Sequence, residues 1–374
     1  MKLSFIRILV CLGLCSMAQG QAEGSNSDSK PLVVSAAQEK AIDEGLAWLA
    51  GQQNKDGSWT GRVGHKVNEN YVQTKEDGHV GVTALACMAF LAGGHLPGRG
   101  TYGQVIERGT EFILSCGKAD GYLTHAGTRM YSHAFATLLL AEIFGMTHRD
   151  DVRAKLQQAV DFVVDTQNKD GGWRYVPFAE DSDMSIVVCQ VLALRAARNI
   201  GIRVPRATID RAANYVVDSA VKRDSTGFRS HYRAPSKGSF LYQHNSQTRS
   251  SFALTSAGVT ALHGVGIYSN DAIRLGLDYL RAEMPRFNSE YGEDGHYFFW
   301  YGHYYGVQAM YTAGNSSRFN YWEPYFKQVR EKILSIRSPD GSWPNDTGPG
   351  RNFATAMAVL ILEIPYRYLP IFQR

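Results

Sequence analysis

Asp181-Ser182-Asp183-Met184 sets two carboxylates directly before the apolar run Met184 to Leu194. A carboxylate at such a place has two uses. Asp183 can cap a helix, accepting from a backbone amide of its first turn, which contributes about 1 kcal/mol. It can also exchange a proton with a bound ligand. Three histidines, His79, His133 and His303, stand near the starts of other apolar runs, and together with Asp183 they are ligand types that zinc prefers. Their wide separation along the chain gives no metal signature, so neither a metal nor a cofactor is expected. Arg249 and Arg351 supply cations near two further run starts, and Tyr297 to Tyr305, which holds Trp300 and Tyr304, is unusually aromatic. Aromatic faces stabilise cations, and they also simply pack. No Gly-x-Ser-x-Gly elbow, phosphate-binding loop or His-Glu-x-x-His is present.

These residues must be positioned by helices, which come in two kinds. Val152, Leu156, Ala159, Val160 and Val163 recur at helical spacing among charged neighbours, as do Ile42, Leu46 and Leu49. Val80 to Ala92, Met184 to Leu194 and Phe353 to Leu362 are apolar nearly all round and must be covered on most sides. The kinds alternate. Half-apolar outer helices are expected from about Ala36, Tyr102, Asp150, Pro205, Asn270 and Trp322, each followed by an apolar inner helix from about His79, Met130, Asp183, Arg249, Phe299 and Asn352. That makes six helical hairpins. An open stack would need polar ends, yet the last inner run is as apolar as the middle ones, so the hairpins are expected to close into a ring.

A turn recurs between outer and inner helices. Gln53-Asn54-Lys55-Asp56-Gly57-Ser58-Trp59 returns as Gln167-Asn168-Lys169-Asp170-Gly171-Gly172-Trp173 and as Arg337-Ser338-Pro339-Asp340-Gly341-Ser342-Trp343. Asp120-Gly121-Tyr122, Thr226-Gly227-Phe228 and Asp294-Gly295-His296-Tyr297 are weaker echoes. Asp-Gly gives a tight turn after a helix end, and the aromatic residue can fold back onto the helix it follows.

These Gln-x-x-Asp-Gly-x-Trp turns, with the outer and inner alternation, resemble the prenyltransferase and squalene oxidase repeat of the terpenoid cyclase and protein prenyltransferase superfamily, from about Ala36 to the C-terminus. The segments Met130 to Leu138 and Gly302 to Met310, and the ending Tyr368 to Arg374, resemble exported bacterial single-toroid members. The resemblance implies an all-α fold, an α/α toroid (α6/α6 barrel) with a central cavity and an isoprenoid-like ligand. In such a ring all inner helices start at one mouth, which gathers Asp77 and His79, Tyr131 and His133, Asp181 and Asp183, Thr248 and Arg249, His303 and Tyr304, and Arg351 and Asn352. Helix amino termini there favour an anionic group. Asp183, His303 and Tyr304 are the candidates for acid-base chemistry, and His79, His133, Asp181, Arg249, Trp300 and Arg351 for ligand contact. Asp183 matches the proton-donor position of the squalene-hopene cyclase DxDD motif, but Met184 replaces that motif's last carboxylate. No Asp-x-Cys element matches the prenyltransferase zinc site, and Cys116-Gly117-Lys118-Ala119 lacks the glutamine of complement-type thioester domains.

Lys2 and Arg7 precede a short apolar core and Ala18-Gln19-Gly20, which reads as a signal peptide over 1–20; 21–34 reads as a disordered linker and 35–374 as one toroid domain. Export, periplasmic or extracellular, follows, with no transmembrane segment. Removing Lys2 and Arg7, with no acid beside them, takes the net charge from +4 to +2, a balance that does not suggest nucleic acid. Cys87, Cys116 and Cys189 remain, an odd set that reads as buried inert thiols. Two long outer-to-inner loops, Thr60 to Glu76 and Asp224 to Gln247, are candidate lids, the second with Arg229, Arg233 and Lys237 among Tyr232, Phe240 and Tyr242. The leading expectation is an exported toroid that binds a small-molecule or lipid-like ligand and acts on it by acid-base chemistry. A non-catalytic binding or scaffold toroid and a glycan-active lyase or hydrolase are the alternatives, and a protein partner is left open.

Overall fold

The computed structural model describes residues 34–67, 70–224, 234–245, 249–314 and 319–372. The leader, nearly all of the linker, Thr226-Gly227-Phe228, Arg229, Tyr232, Arg233 and Thr248 lie outside them.

Twelve α-helices follow one another among the described residues: α1 (Ala36–Gly51), α2 (Val80–Ala92), α3 (Gly103–Ser115), α4 (Met130–Thr147), α5 (Asp150–Asp165), α6 (Met184–Asn199), α7 (Arg206–Asp218), α8 (Phe252–Gly264), α9 (Asp271–Tyr291), α10 (Tyr297–Ala313), α11 (Trp322–Ser335) and α12 (Arg351–Glu363). The expected helix starts are met within about three residues. Every residue of α2 is buried, whereas α5 buries Val152, Leu156, Ala159, Val160, Phe162 and Val163 and turns its charged residues outward. The inner helices pack as α2 on α4, α4 on α6, α6 on α8, α8 on α10, α10 on α12 and α12 back on α2, so the ring closes. The outer helices lie over the gaps: α1 touches α12 and α2, and α5 touches α4 and α6. Among the described residues no helix is long and apolar enough to cross a membrane.

The recurring turn locks each hairpin to the next. Trp59, Trp173 and Trp343 are buried, and each indole N–H donates to the carbonyl ten residues back, on Leu49 (2.7 Å), Val163 (2.8 Å) and Ile333 (2.8 Å), near the end of the preceding outer helix. Gln167 Nε2 donates to Gly171 O and across to Thr208 O at the start of α7, and Gln53 bonds Gly57 O and Val105 O in the same way. Gly171 has φ +86°, and a Cβ there would sit 2.4 Å from Arg211 O on α7. Only glycine allows that approach at that φ. Among the described residues the segment between α7 and α8 makes the corresponding turn at Lys237-Gly238-Ser239-Phe240, where Gly238 (φ +87°) abuts Leu275 O of α9 and the Phe240 amide donates to Thr255 Oγ1.

The first long loop is a β-hairpin, β1 (Thr60–Val67) and β2 (Asn70–Gly78), antiparallel with an irregularity at Val63/Gly64. It is tied to the turn before α12: Arg62 N donates to Pro349 O (2.8 Å), and Asn352 Nδ2 donates to Thr60 O (2.9 Å). In the second long loop, Phe240 and Tyr242 are buried rather than poised as a lid.

The ring axis holds side chains where a central cavity was expected. Cys189 Sγ and Tyr305 OH lie 3.0 Å apart, and the Tyr304 ring sits among Phe135, Tyr305 and Phe372, at centroid distances of 6.2, 4.9 and 6.4 Å. Phe372 and Ile371 belong to the C-terminal segment, which turns in against α6 and closes the far mouth. There the Ile371 amide donates to Glu142 Oε1 (3.3 Å).

Candidate functional site

The near mouth is built on the Gln167 to Trp173 turn. Asn168 Nδ2 donates to the carbonyls of Ala179 and Asp181, and its Oδ1 accepts from Ser182 Oγ (2.9 Å), fixing the chain just before α6. The Asp183 amide donates to Trp173 O (3.0 Å), and the Met184 amide to Tyr242 O (2.9 Å). Asp183 is thereby placed at the α6 amino terminus with no solvent exposure.

Its carboxylate is surrounded by donors. Oδ1 accepts from the Ile186 amide (3.1 Å) and from Ser185 Oγ; Oδ2 accepts from Tyr242 OH (3.4 Å) and has Arg174 Nε at 3.7 Å. The same guanidinium pairs with Asp181, whose side chain is 59% exposed. Tyr242 OH lies 2.5 Å from Tyr175 OH, and the Arg249 guanidinium stacks 3.9 Å above the Tyr242 ring. Tyr131 OH donates to Ser185 Oγ (2.6 Å) and Tyr301 OH to Ser185 O (3.1 Å), so the starts of α4, α6 and α10 meet across the ring. The Tyr131 ring lies 5.9 Å from Tyr175 and 6.4 Å from Tyr301, a partly exposed tyrosine floor. Burial pushes the Tyr131, Tyr175 and Tyr301 phenols well above their usual range, with neighbouring acidic groups adding to it, so they remain protonated donors. Donors converging on both Asp183 oxygens make it an acceptor that orients its neighbours. That differs from a carboxylic acid aimed at an empty cavity.

The structure brings Asp181, Asp183 and Arg249 together and disperses the other candidates. His79 caps α2, its Nδ1 accepting from the Val82 amide (3.2 Å), and burial lowers its pKa to about 4. His133 faces the outer layer. Its Nδ1 accepts from the Leu123 amide (3.0 Å) and its Nε2 donates to Ala159 O (3.2 Å), while burial lowers its pKa to about 4. It does what Thr83, Thr255 and Thr355 do in other repeats, accepting the amide of the turn aromatic or its counterpart. His303 also turns outward, bonding Asn288 Oδ1 on α9 (2.6 Å) and Tyr325 OH on α11 (3.3 Å), with its pKa lowered to about 3 by burial. Its ring is thus occupied away from the mouth, and it does not pair with Asp183. Tyr304 lies on the axis, deeper than the mouth, with its hydroxyl buried and without a hydrogen bond. Trp300 donates to Gly295 O and Pro344 O, and Arg351 pairs with Asp340 and lies over Trp48; both brace turns. Among the described residues no group of three His, Cys, Asp or Glu side chains could hold a metal ion. Cys87, Cys116 and Cys189 are free and buried.

Arg174, Tyr175, Ser185, Tyr242 and Tyr301 were not singled out from sequence as a site. Arg174-Tyr175 directly follows the turn tryptophan, where the other two complete motifs have Thr60 and Pro344. That departure within a repeat was the available signal.

A closed ring of six inner helices inside six outer ones defines the class: the chain is an α/α toroid. No family model matches the chain, and no curated protein does. Solved structures do. Cellobiose 2-epimerase from Bacillus thermoamylovorans B4167 is 12% identical with a TM-score of 0.59, covering 88% of this chain and 99% of its own. An inactive α-1,6-mannanase variant of Salegentibacter sp. HEL1_6, in complex with α-1,6-mannotetrose, is 10% identical with a TM-score of 0.60, covering 87% and 98%. A type II terpene cyclase from Scytonema, in complex with geranylgeranyl dihydroxybenzoate, is 12% identical with a TM-score of 0.52, covering 89% and 98%. At such identities the likeness is one of fold, and the toroid implied by the repeat motifs is the fold of this chain.

Proposed function

We propose that this is an exported α/α toroid that binds a hydroxylated, glycan-type ligand over the tyrosine floor at the near mouth. The observation that carries this reading is the filling of the ring axis by Cys189, Tyr305, Tyr304, Phe135 and Phe372, which leaves an isoprenoid chain no place along it without displacing them. The mouth, in contrast, combines flat aromatic faces with carboxylate, guanidinium and phenol groups, the mixture of apolar area and few fixed polar groups that orients a small ligand. Two of the similar structures are named for enzymes of sugars, which agrees with this choice. The leader read at 1–20 supports export.

A glycan-active reading is supported by one further feature. Tyr175 OH, Tyr242 OH and Asp183 Oδ2 form a chain at 2.5 and 3.4 Å, along which Asp183 can take up a proton released at the mouth. In that reading Asp183 is the catalytic base, reached through Tyr242, and His303 has no part.

Calorimetric titration with α-1,6-mannotetraose, cellotetraose and chitotetraose, beside geranylgeraniol and squalene in detergent, tests the ligand class. Binding of at least one oligosaccharide and of neither prenyl lipid is expected. Binding of a prenyl lipid, with no response to any saccharide, overturns the reading. Incubation with the bound saccharide, followed by analysis of reducing ends and unsaturated products, tests the catalytic form. An active wild type and an inactive Asp183→Asn support it, and no product from the wild type removes it.

A further inference from the structure

Beside the mouth, on the outer flank of the Gln167 to Trp173 turn, the surface sinks into a depression of about 160 Å³ lined by Asp170, Asp181, Tyr215, Gln243, His244 and Asn245. Two of these groups have no partner among the described residues. Tyr215 on α7 is 2% exposed, and its hydroxyl makes no hydrogen bond; the buried Nδ1 of His244 makes none either. Their rings stack obliquely, 5.0 Å between centroids. A buried polar atom without a partner costs about 1–3 kcal/mol, so two in one hollow point to a missing guest.

The remaining polar groups restrict what that guest is. Asp170 Oδ2 accepts from Asn245 Nδ2 (3.2 Å), and Asp181 Oδ2 accepts from Gln243 Nε2 (3.1 Å) and pairs with Arg174. The hollow thus offers carboxylate oxygens as acceptors, amide and phenol protons as donors, and an imidazole nitrogen that takes either role. A phosphate would bring its negative charge against two carboxylates. An ammonium only donates, leaving the Tyr215 hydroxyl proton without an acceptor. Vicinal hydroxyls both donate and accept.

We infer that this hollow is a binding subsite for a single hydroxylated ring, a pyranose or cyclic polyol, held by Tyr215, His244, Asp170 and Asp181. The inference deepens the glycan-type reading of the mouth and rests on it for the ligand class. Asp181 lines the hollow and pairs with Arg174 at the mouth, so a ring seated here is the end unit of a chain lying over the tyrosine floor.

The test is saturation-transfer NMR and titration of the full chain with methyl α-D-mannopyranoside, methyl β-D-glucopyranoside and myo-inositol, with ethylammonium as the cationic control. At least one hydroxylated ring is expected to bind, and Tyr215→Phe, which deletes one oxygen, to weaken it fivefold or more with an unchanged circular dichroism spectrum. Asn245→Ala gives a second, surface variant expected to weaken it likewise. Binding of ethylammonium alone, no binding of any ring at about 50 mM, well above a millimolar Kd, or a Tyr215→Phe variant that binds as well as wild type, overturns the subsite. Tyr131→Ala separates the two claims. If it abolishes ring binding while Tyr215→Phe does not, the ligand sits at the mouth and only the subsite fails. If Tyr215→Phe alone matters, the subsite stands and the mouth reading fails.

Discussion

Glu142 links the closed far mouth to pH. It is 4% exposed on α4; Oε1 accepts from the Ile371 amide of the C-terminal segment, and Oε2 has no partner. Burial raises its pKa from 4.5 to about 7, against a small opposing effect of the Ile371 amide. Between those values the unfolded chain carries a charge that the folded chain does not. The stabilisation is therefore fully present below about pH 4.5 and is lost as the pH rises through about 7. The difference corresponds to about 3 kcal/mol. With an unfolding entropy of about 2.1 cal/mol/K per residue over roughly 340 folded residues, this is about 4 °C in Tm. Glu142→Gln keeps the shape and the acceptor without the charge. Calorimetric unfolding of both proteins from pH 4.5 to 8 is expected to show equal stability at the acidic end and a variant more stable by about 4 °C at pH 8. Glu363, also raised by burial, acts in the same direction, while His79, His133 and His303, lowered by burial, act in the opposite one. Taking the difference between the two proteins cancels them. A difference that stays constant across the range refutes the assignment of Glu142 as a buried, neutral acid.

Three further outcomes follow from the turns and the mouth. Gly171→Ala must fit a Cβ 2.4 Å from Arg211 O at φ +86°, and denaturant unfolding is expected to show a loss of more than about 2 kcal/mol. His133→Thr, which restores the residue type found at Thr83, Thr255 and Thr355, is expected to fold cooperatively, to lose less than about 2 kcal/mol and to leave saccharide titrations unchanged. Asp183→Ala leaves the Ile186 amide and the Ser185 and Tyr242 hydroxyls without their acceptor, and a loss of about 3 kcal/mol in chemical denaturation is expected, with Asp183→Asn losing less.

The ring was legible because its determinants are local and repeated. The all-apolar inner runs and the Asp-Gly-x-Trp turns each encode one hairpin, and closure follows from the last inner helix being as apolar as the rest. The β-hairpin is not evident in the sequence because Val63 and Val67 are the only apolar side chains in Thr60–Val67, too few to mark a strand by alternation, so pairing and the anchors at Pro349 and Asn352 decide it. The turn at Lys237-Gly238-Ser239-Phe240 is hard to read in the sequence because it lacks the aspartate and tryptophan that mark the three complete motifs. Asp183 was legible as a cap, since an aspartate before Met-Ser-Ile needs only local geometry. The histidines misled for a different reason. Proximity to a helix start fixes height along the ring but not rotation, and one position in a turn separates a side chain on the axis from one against the outer layer. His303 and Tyr304 are adjacent in sequence, yet one meets Asn288 and the other Phe372. Arg174-Tyr175 lie in the loop just before Asp183, whereas Tyr242 comes from the segment before α8, and only packing of the two segments brings its hydroxyl to Asp183.

The proposed seat of the ligand is over the mouth and not within the axis. Its most direct measurement is the affinity of one saccharide that binds wild type, compared in Tyr131→Ala and in Tyr304→Phe. Loss of the floor ring is expected to weaken binding at least tenfold, about 1.4 kcal/mol, with Tyr304→Phe within twofold of wild type. Weakened binding in Tyr304→Phe with Tyr131→Ala unaffected would place the ligand in the axis and contradict the account.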